Sequence, residues 1–212
     1  MELLVSAYWR PAYKHIRLQW KANAEDASDL VQGYFTSLLE KDTLQSYDAS
    51  AGRFHAWLRT CLDNFVTNDR IASQRHKRGG GVVFESLDFP VVEAEVIRDG
   101  AAEGDAETRF YKEWVRSFFA LALQRLRKEC AEQRKQRQFE MWQRYDMAEE
   151  SPISYAELAK EYGIAITTVT NQLAALRRRF RKVLLETLRD VTADDREFRN
   201  EARSLLGVET GT

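Results

Sequence analysis

The chain has 212 residues, 44% hydrophobic and 31% charged, a balance that allows one or two buried cores and excludes fibrous and collagen-like architectures. With 32 basic against 33 acidic side chains the formal charge is −1, so any nucleic-acid binding must come from local patches rather than from bulk charge. Cys61 and Cys130 form no C-x-x-C pair, which argues against a disulfide scaffold, a zinc site or a redox motif and for a reducing compartment. No apolar run approaches the ~20 residues that span a bilayer, and the start, Met1-Glu2-Leu3-Leu4-Val5, lacks the pattern of an export signal. The expected protein is cytoplasmic, with no membrane insertion.

With only 3 prolines, and with Pro11 and Pro90 outside any long periodic run, the chain reads as mostly helical. An N-terminal segment carrying Tyr8, Trp9, Tyr13, Ile16 and Trp20 supplies aromatic bulk to a first bundle. After acidic Asp26 and Asp29, which suit a helix N-terminus, Leu30, Val31, Tyr34, Phe35, Leu38 and Leu39 repeat at helical spacing. The opposite strip, Asp29, Gln32, Gly33 and Thr36, reads on its residues alone as a solvated face. From Arg53 to Ile71, Phe54, Trp57, Leu58, Cys61, Leu62, Phe65 and Val66 mark an amphipathic helix with one broad buried stripe. Asn64, Thr67, Asn68 and Arg70 fall on its other faces, and it runs into Arg75-His76-Lys77-Arg78. Basic groups beside aromatics suit unstacked bases, although Phe54, Trp57 and Phe65 read as core.

After Gly79-Gly80-Gly81, the stretch Glu85 to Glu107 holds 8 acidic residues against Arg98 alone, the composition of a linker. Helical periodicity returns from Thr108 through Phe110, Trp114, Phe118, Leu121 and Ala122 to a basic stretch ending near Arg137, and resumes after Ser151-Pro152 as far as about Asp190. Ser154-Tyr155-Ala156-Glu157 has the form of a capping box. The helix it starts holds Leu158 and Ala159 and stops at Gly163, and a second helix follows with Val169, Leu173 and Leu176. This is the spacing of a helix-turn-helix, which a plain helical hairpin would share in part. The outward face of the second helix argues for DNA: Thr167, Thr168, Thr170, Asn171 and Gln172 can bond base edges, and Arg177, Arg178 and Arg179 can hold phosphates.

The catalytic inventory is poor. His15, His55 and His76 are scattered, and nucleotide-binding, zinc-protease and serine-hydrolase motifs are all missing. A binding protein with no catalytic residues, no metal and no cofactor is the expected class.

The segment Ala24 to Phe35, with Phe54-His55-Ala56-Trp57-Leu58-Arg59 and Asn68-Asp69-Arg70, resembles domain two of sigma-70 family factors of the extracytoplasmic-function (ECF) type. The second half, from Ala122-Leu123-Gln124-Arg125-Leu126-Arg127 through Ser154 to Ala159 and Leu176 to Phe180, resembles domain four of a subgroup with a similar Lys77 to Gly81 and Leu87-Asp88-Phe89. The resemblance runs roughly from Tyr8 to Leu206. It implies an all-α chain of two helical domains joined by an acidic flexible linker: domain two over 1–82, the linker over 83–108, domain four over 109–192, and a tail or short helix over 193–212.

The function it implies is that of an alternative sigma factor, which binds bacterial core RNA polymerase, directs it to promoter DNA and assists melting. The core-binding strip then falls on Asp29, Leu30, Gln32, Gly33 and Phe35. The minus-ten surface falls on Asn64, Thr67, Asn68, Arg70, Arg75, His76, Lys77 and Arg78. Thr167, Thr168, Thr170, Asn171, Gln172, Arg177, Arg178 and Arg179 then read the minus-thirty-five element. An anti-sigma factor is a further candidate partner. Ala165 stands where many relatives carry Ser or Thr, and Thr170 and Gln172 lie where relatives are more basic, so the sequence read at that element is left open. The rival reading is a stand-alone helix-turn-helix regulator that binds duplex DNA without polymerase.

Overall fold

The computed structural model describes residues 2–40, 43–48, 50, 52–73, 87–99, 104–148, 153–192 and 194–207. These residues form nine α-helices and a short 3-10 turn, with no strand among them. Contacts divide the chain into two compact units, one of residues 1–118 with 188–212 and the other of residues 119–187.

The first unit is built from α1 (Glu2–Gln19), α2 (Ala24–Glu40) and α3 (Phe54–Ser73), together with α4 (Phe89–Asp99), the start of α5 (Ala106–Glu132) and α9 (Asp195–Leu206). On α3, Phe54, Leu58, Leu62 and Val66 recur every fourth residue and are all buried, at about 1.5–3 kcal/mol per side chain. Trp57, Cys61 and Phe65 flank that stripe and are half-buried. Tyr8 sits at the centre, its ring edge-on to Phe54 at 5.7 Å and stacked on Trp114 at 6.0 Å. The Tyr34 hydroxyl donates to the Leu58 carbonyl at 3.0 Å and ties α2 to α3.

Two expectations are corrected in this unit. Pro11 lies inside α1, which continues through it. Proline removes one backbone bond at a cost of about 3 kcal/mol, and burial of Tyr8, Ala12, Tyr13 and Ile16 on either side offsets it. Within the segment expected to be a flexible acidic linker, residues 89–99 form α4, packed on α1. Phe89 meets the rings of Trp9 and Tyr13, Val92 and Val96 are buried, and Glu93 and Glu95 find cations. Glu93 accepts from the Tyr13 hydroxyl and Arg17 Nε, both at 2.7 Å, while Glu95 accepts from Lys14 at 2.8 Å and from Arg10.

The C-terminal residues 194–207 form a docked helix. Asp194 caps α9 by accepting from the Glu197 N–H at 2.8 Å, and Gly207 closes it at φ 59°, in the left-handed region. Phe198 and Ala202 are buried, and the Arg189 guanidinium lies 4.3 Å over the Phe198 ring.

The second unit contains the remainder of α5, then α6 (Gln136–Asp146), α7 (Tyr155–Tyr162) and α8 (Ile166–Val191) as far as Thr187. Its core gathers Leu126, Phe139, Met141 and Trp142 with Leu158, Val169, Leu173 and Val183. Trp142 touches Phe139 and Phe180, at ring separations of 5.8 and 5.0 Å.

Candidate nucleic-acid interface

The second unit positions a recognition helix by local chemistry. Ser154 Oγ accepts from the Glu157 N–H at 3.2 Å while the Glu157 carboxylate accepts from the Ser154 N–H at 2.8 Å, which fixes the start of α7. The Ser154 N–H and the Ser154 hydroxyl, which also donates to the carboxylate at 2.7 Å, hold the Glu157 carboxyl below its usual range. Gly163 at φ 64° makes the turn, a conformation costly to residues with a Cβ. Leu158 and Ala159 on α7 and Val169, Leu173 and Leu176 on α8 are buried. On α8, Thr167, Thr170 and Asn171 are exposed and Thr168 and Gln172 half-buried. The Thr170 hydroxyl donates to the Ile166 carbonyl at 3.0 Å.

The three arginines that follow are not equivalent. Arg177 holds Asp146 through Nε and Nη2 at 3.0 and 2.8 Å, reaches the Tyr155 hydroxyl at 3.3 Å and lies 5.4 Å over the Tyr145 ring. Arg179 grips Glu129 at 2.7 and 2.8 Å and Glu186 at 3.3 Å. The bond to Asp146 raises the Arg177 pKa further above its ordinary value, and the bond to Glu129 does the same for Arg179. Arg178, by contrast, is exposed and forms no ion pair among the described residues. By sequence the three group as phosphate ligands; in the fold Arg177 and Arg179 brace α8 against α6 and α5, and Arg178 stays outward.

On the first unit, Asp29 is exposed and Leu30 and Gln32 half-buried on α2. Phe35 is 0% exposed, so its place in a binding strip is corrected: it belongs to the core behind that surface. Gly33 serves as a spacer, since a Cβ there would stand 3.2 Å from the Phe65 ring of α3. Asn64, Thr67, Asn68 and Arg70 are all exposed on the second half of α3. Arg70 donates to the Trp20 carbonyl at 2.6 Å and lies 4.9 Å over the Trp20 ring, whose Nε1 donates to Asp63 at 2.7 Å. Burial pushes the Asp63 carboxyl up, but its bonds to His15 and Trp20 leave it below the usual range. Half-buried Trp20 thus joins this face, which sequence spacing missed because it lies 50 residues from Arg70. Arg75, His76, Lys77 and Arg78 lie outside the described residues. Of the histidines, His15 bonds Asp63 and His55 bonds Tyr8 and Glu201, so both are built into the first unit's framework.

A family model described as ECF sigma factor matches residues 3–186, which span both units. The chain belongs to the ECF sigma factor family. Comparison with curated proteins and with solved structures finds no match. As an ECF sigma factor the protein acts in transcription initiation and binds DNA. Such factors are regulators that direct transcription rather than enzymes. No helix among the described residues is long and apolar enough to cross a membrane.

Proposed function

We propose that this ECF sigma factor binds bacterial core RNA polymerase through α2 of its first unit and engages the two promoter elements with separate surfaces. Asp29, Leu30 and Gln32 carry the polymerase contact, with Gly33 and Phe35 setting the helix position behind them. Asn64, Thr67, Asn68 and Arg70, beside Trp20, take the minus-ten element as single strand, and the basic run Arg75 to Arg78 that follows in the sequence binds the same element. Extruding a base costs a few kcal/mol, and stacking on an aromatic or guanidinium plane returns about 1–3 kcal/mol per base, so melting draws on binding energy without ATP.

In the second unit Thr167, Thr168, Thr170, Asn171 and Gln172 read the minus-thirty-five element in the major groove, with Arg178 on a phosphate. The observation that carries this reading is the capped α7, the left-handed Gly163 and the polar outer face of α8, all inside a chain whose residues 3–186 match the family. A role on polymerase places the protein in the cytoplasm.

The test is size-exclusion chromatography of the purified protein with bacterial core polymerase, each component alone serving as control. Co-elution supports the proposal. Clean separation, with tight duplex binding by the free protein, overturns it in favour of a stand-alone regulator.

A further inference from the structure

On a solvated helix, acids and bases commonly share the outer face and pair at i,i+4. The last helix, α9, does the opposite. Its two glutamates point inward: Glu197 is 4% exposed and Glu201 1%. Glu201 accepts from the Tyr111 hydroxyl at 3.1 Å and meets His55 Nε2 at 3.1 Å, and the His55 Nδ1 in turn meets the Tyr8 hydroxyl at 3.1 Å. The remaining acids sit at the N-terminus, where Asp194 is the cap and Asp195 pairs with Arg189 at 2.6 Å.

What remains outside is cationic. Arg196, Arg199 and Arg203 are all exposed, and none forms an ion pair among the described residues, although Asp48 feels the charge of Arg196 from a distance. At 3.6 residues per turn the three lie within about 60° of one another and span about 10 Å of helix. A strand of duplex DNA presents one phosphate per ~3.4 Å of axis, so about three phosphates cover that length. The stripe is also fixed in place. Burying a carboxylate is costly unless it is paired and bonded, and the contacts of Glu201, with Phe198 and Ala202 beside it, hold α9 on the first unit. Charge-inward, arginine-outward sorting yields a fixed cationic ridge, free of ion pairs among the described residues, where a merely solvated helix would carry mixed charge.

We infer that α9 is a third DNA contact of this sigma factor, a sequence-independent clamp in which Arg196, Arg199 and Arg203 hold the phosphate backbone of duplex promoter DNA. This rests on the sigma reading above. The ridge adds affinity without information, so it complements base-reading surfaces whose own arginines are partly tied up within the fold.

The experiment uses full-length protein on core polymerase and a promoter fragment selected from a random-sequence pool by the wild-type holoenzyme. Binding is measured against salt for wild type, for Arg196→Gln with Arg199→Gln and Arg203→Gln, and for the matching lysine triple. Three lost phosphate contacts lower the slope of log K against log salt by about 2.7, so wild type loses about 40-fold more affinity than the glutamine triple between 50 and 200 mM salt. The lysine triple keeps the wild-type slope, and each single glutamine variant lowers it by about 0.9, which frees the result from the folding of the triple. An unchanged slope in all glutamine variants overturns the clamp, as does a loss of core binding with normal DNA binding by the loaded fraction, which would make the ridge a protein contact. Failure of wild type to bind core or select any promoter defeats the sigma reading itself, and the clamp with it.

Discussion

Arg177 and Arg178 are adjacent in sequence and identical in chemistry, yet their surroundings predict opposite phenotypes. Arg177→Ala removes a two-point grip on Asp146, a bond to Tyr155 and a stacked contact with Tyr145. The Arg177 side chain is 42% exposed and Asp146 24%, so solvent holds the ion pair to about 0.2–1 kcal/mol. The cation–π contact adds about 0.5–1 kcal/mol, for a loss of about 1–2 kcal/mol in all. For a unit of this length that lowers the unfolding temperature by about 4–8 °C per kcal/mol, or the urea midpoint by on the order of 1 M.

Trp142 is the one tryptophan between residues 119 and 187, so 5-fluorotryptophan labelling followed by fluorine NMR in urea reads the second unit separately from the first. Arg178→Ala leaves that midpoint within about 0.5 kcal/mol and instead lowers the salt slope of promoter binding by about 0.9. A normal Trp142 midpoint in Arg177→Ala together with a lost slope of that size would refute the reasoning, because it would mean the guanidinium leaves Asp146 for phosphate.

Asp29→Ala with Gln32→Ala weakens core polymerase binding in a titration while leaving thermal stability within about 0.5 kcal/mol, since neither side chain belongs to the core. Ser154→Ala removes the α7 cap and costs about 1 kcal/mol at the Trp142 resonance. Leu62→Ala opens a cavity in a fully buried position of α3 and costs about 2–5 kcal/mol, read by thermal denaturation of the first unit. Burial pushes the Glu201 carboxyl up, but His55, Arg53 and Tyr111 outweigh it and hold the group below its ordinary value of 4.5. A carboxyl lower in the folded than in the unfolded state contributes stability that is complete above the unfolded value and lost as pH falls through the folded one. Hydrogen-exchange protection of α9 is therefore level from neutral pH to about 5 and drops below about 4, a dependence that Glu201→Gln makes shallower, the Asp194 cap and the Asp195–Arg189 pair supplying the rest.

Elements whose signal is local were legible in the sequence. The every-fourth-residue stripe of α3 and the Ser154 capping box depend on neighbours within a turn or two, and both are present as read. What the sequence hid lies in pairings between distant residues. Glu93 and Glu95 read as solvated linker because their partners Arg10, Lys14 and Arg17 lie some 80 residues earlier, although those three cations already stood on one face of a helix. The docking of α9 had a sequence signature in Asp194 with Glu197, Phe198 with Ala202, and Gly207, but its decisive contact joins residues 146 apart.

These pairings also resolve how a chain of net charge −1 can bind a polyanion. Inside the first unit Glu93 and Glu95 of α4 are taken up by α1, and inside the second Asp146, Glu129 and Glu186 are taken up by Arg177 and Arg179. Carboxylates engaged in this way stop opposing DNA, while Arg178, Arg181, Arg196, Arg199 and Arg203 remain exposed and without an ion pair among the described residues. Near-neutral composition therefore coexists with local cationic surface, because the carboxylates around these arginines are engaged elsewhere in the fold and the arginines stay where phosphate can reach them.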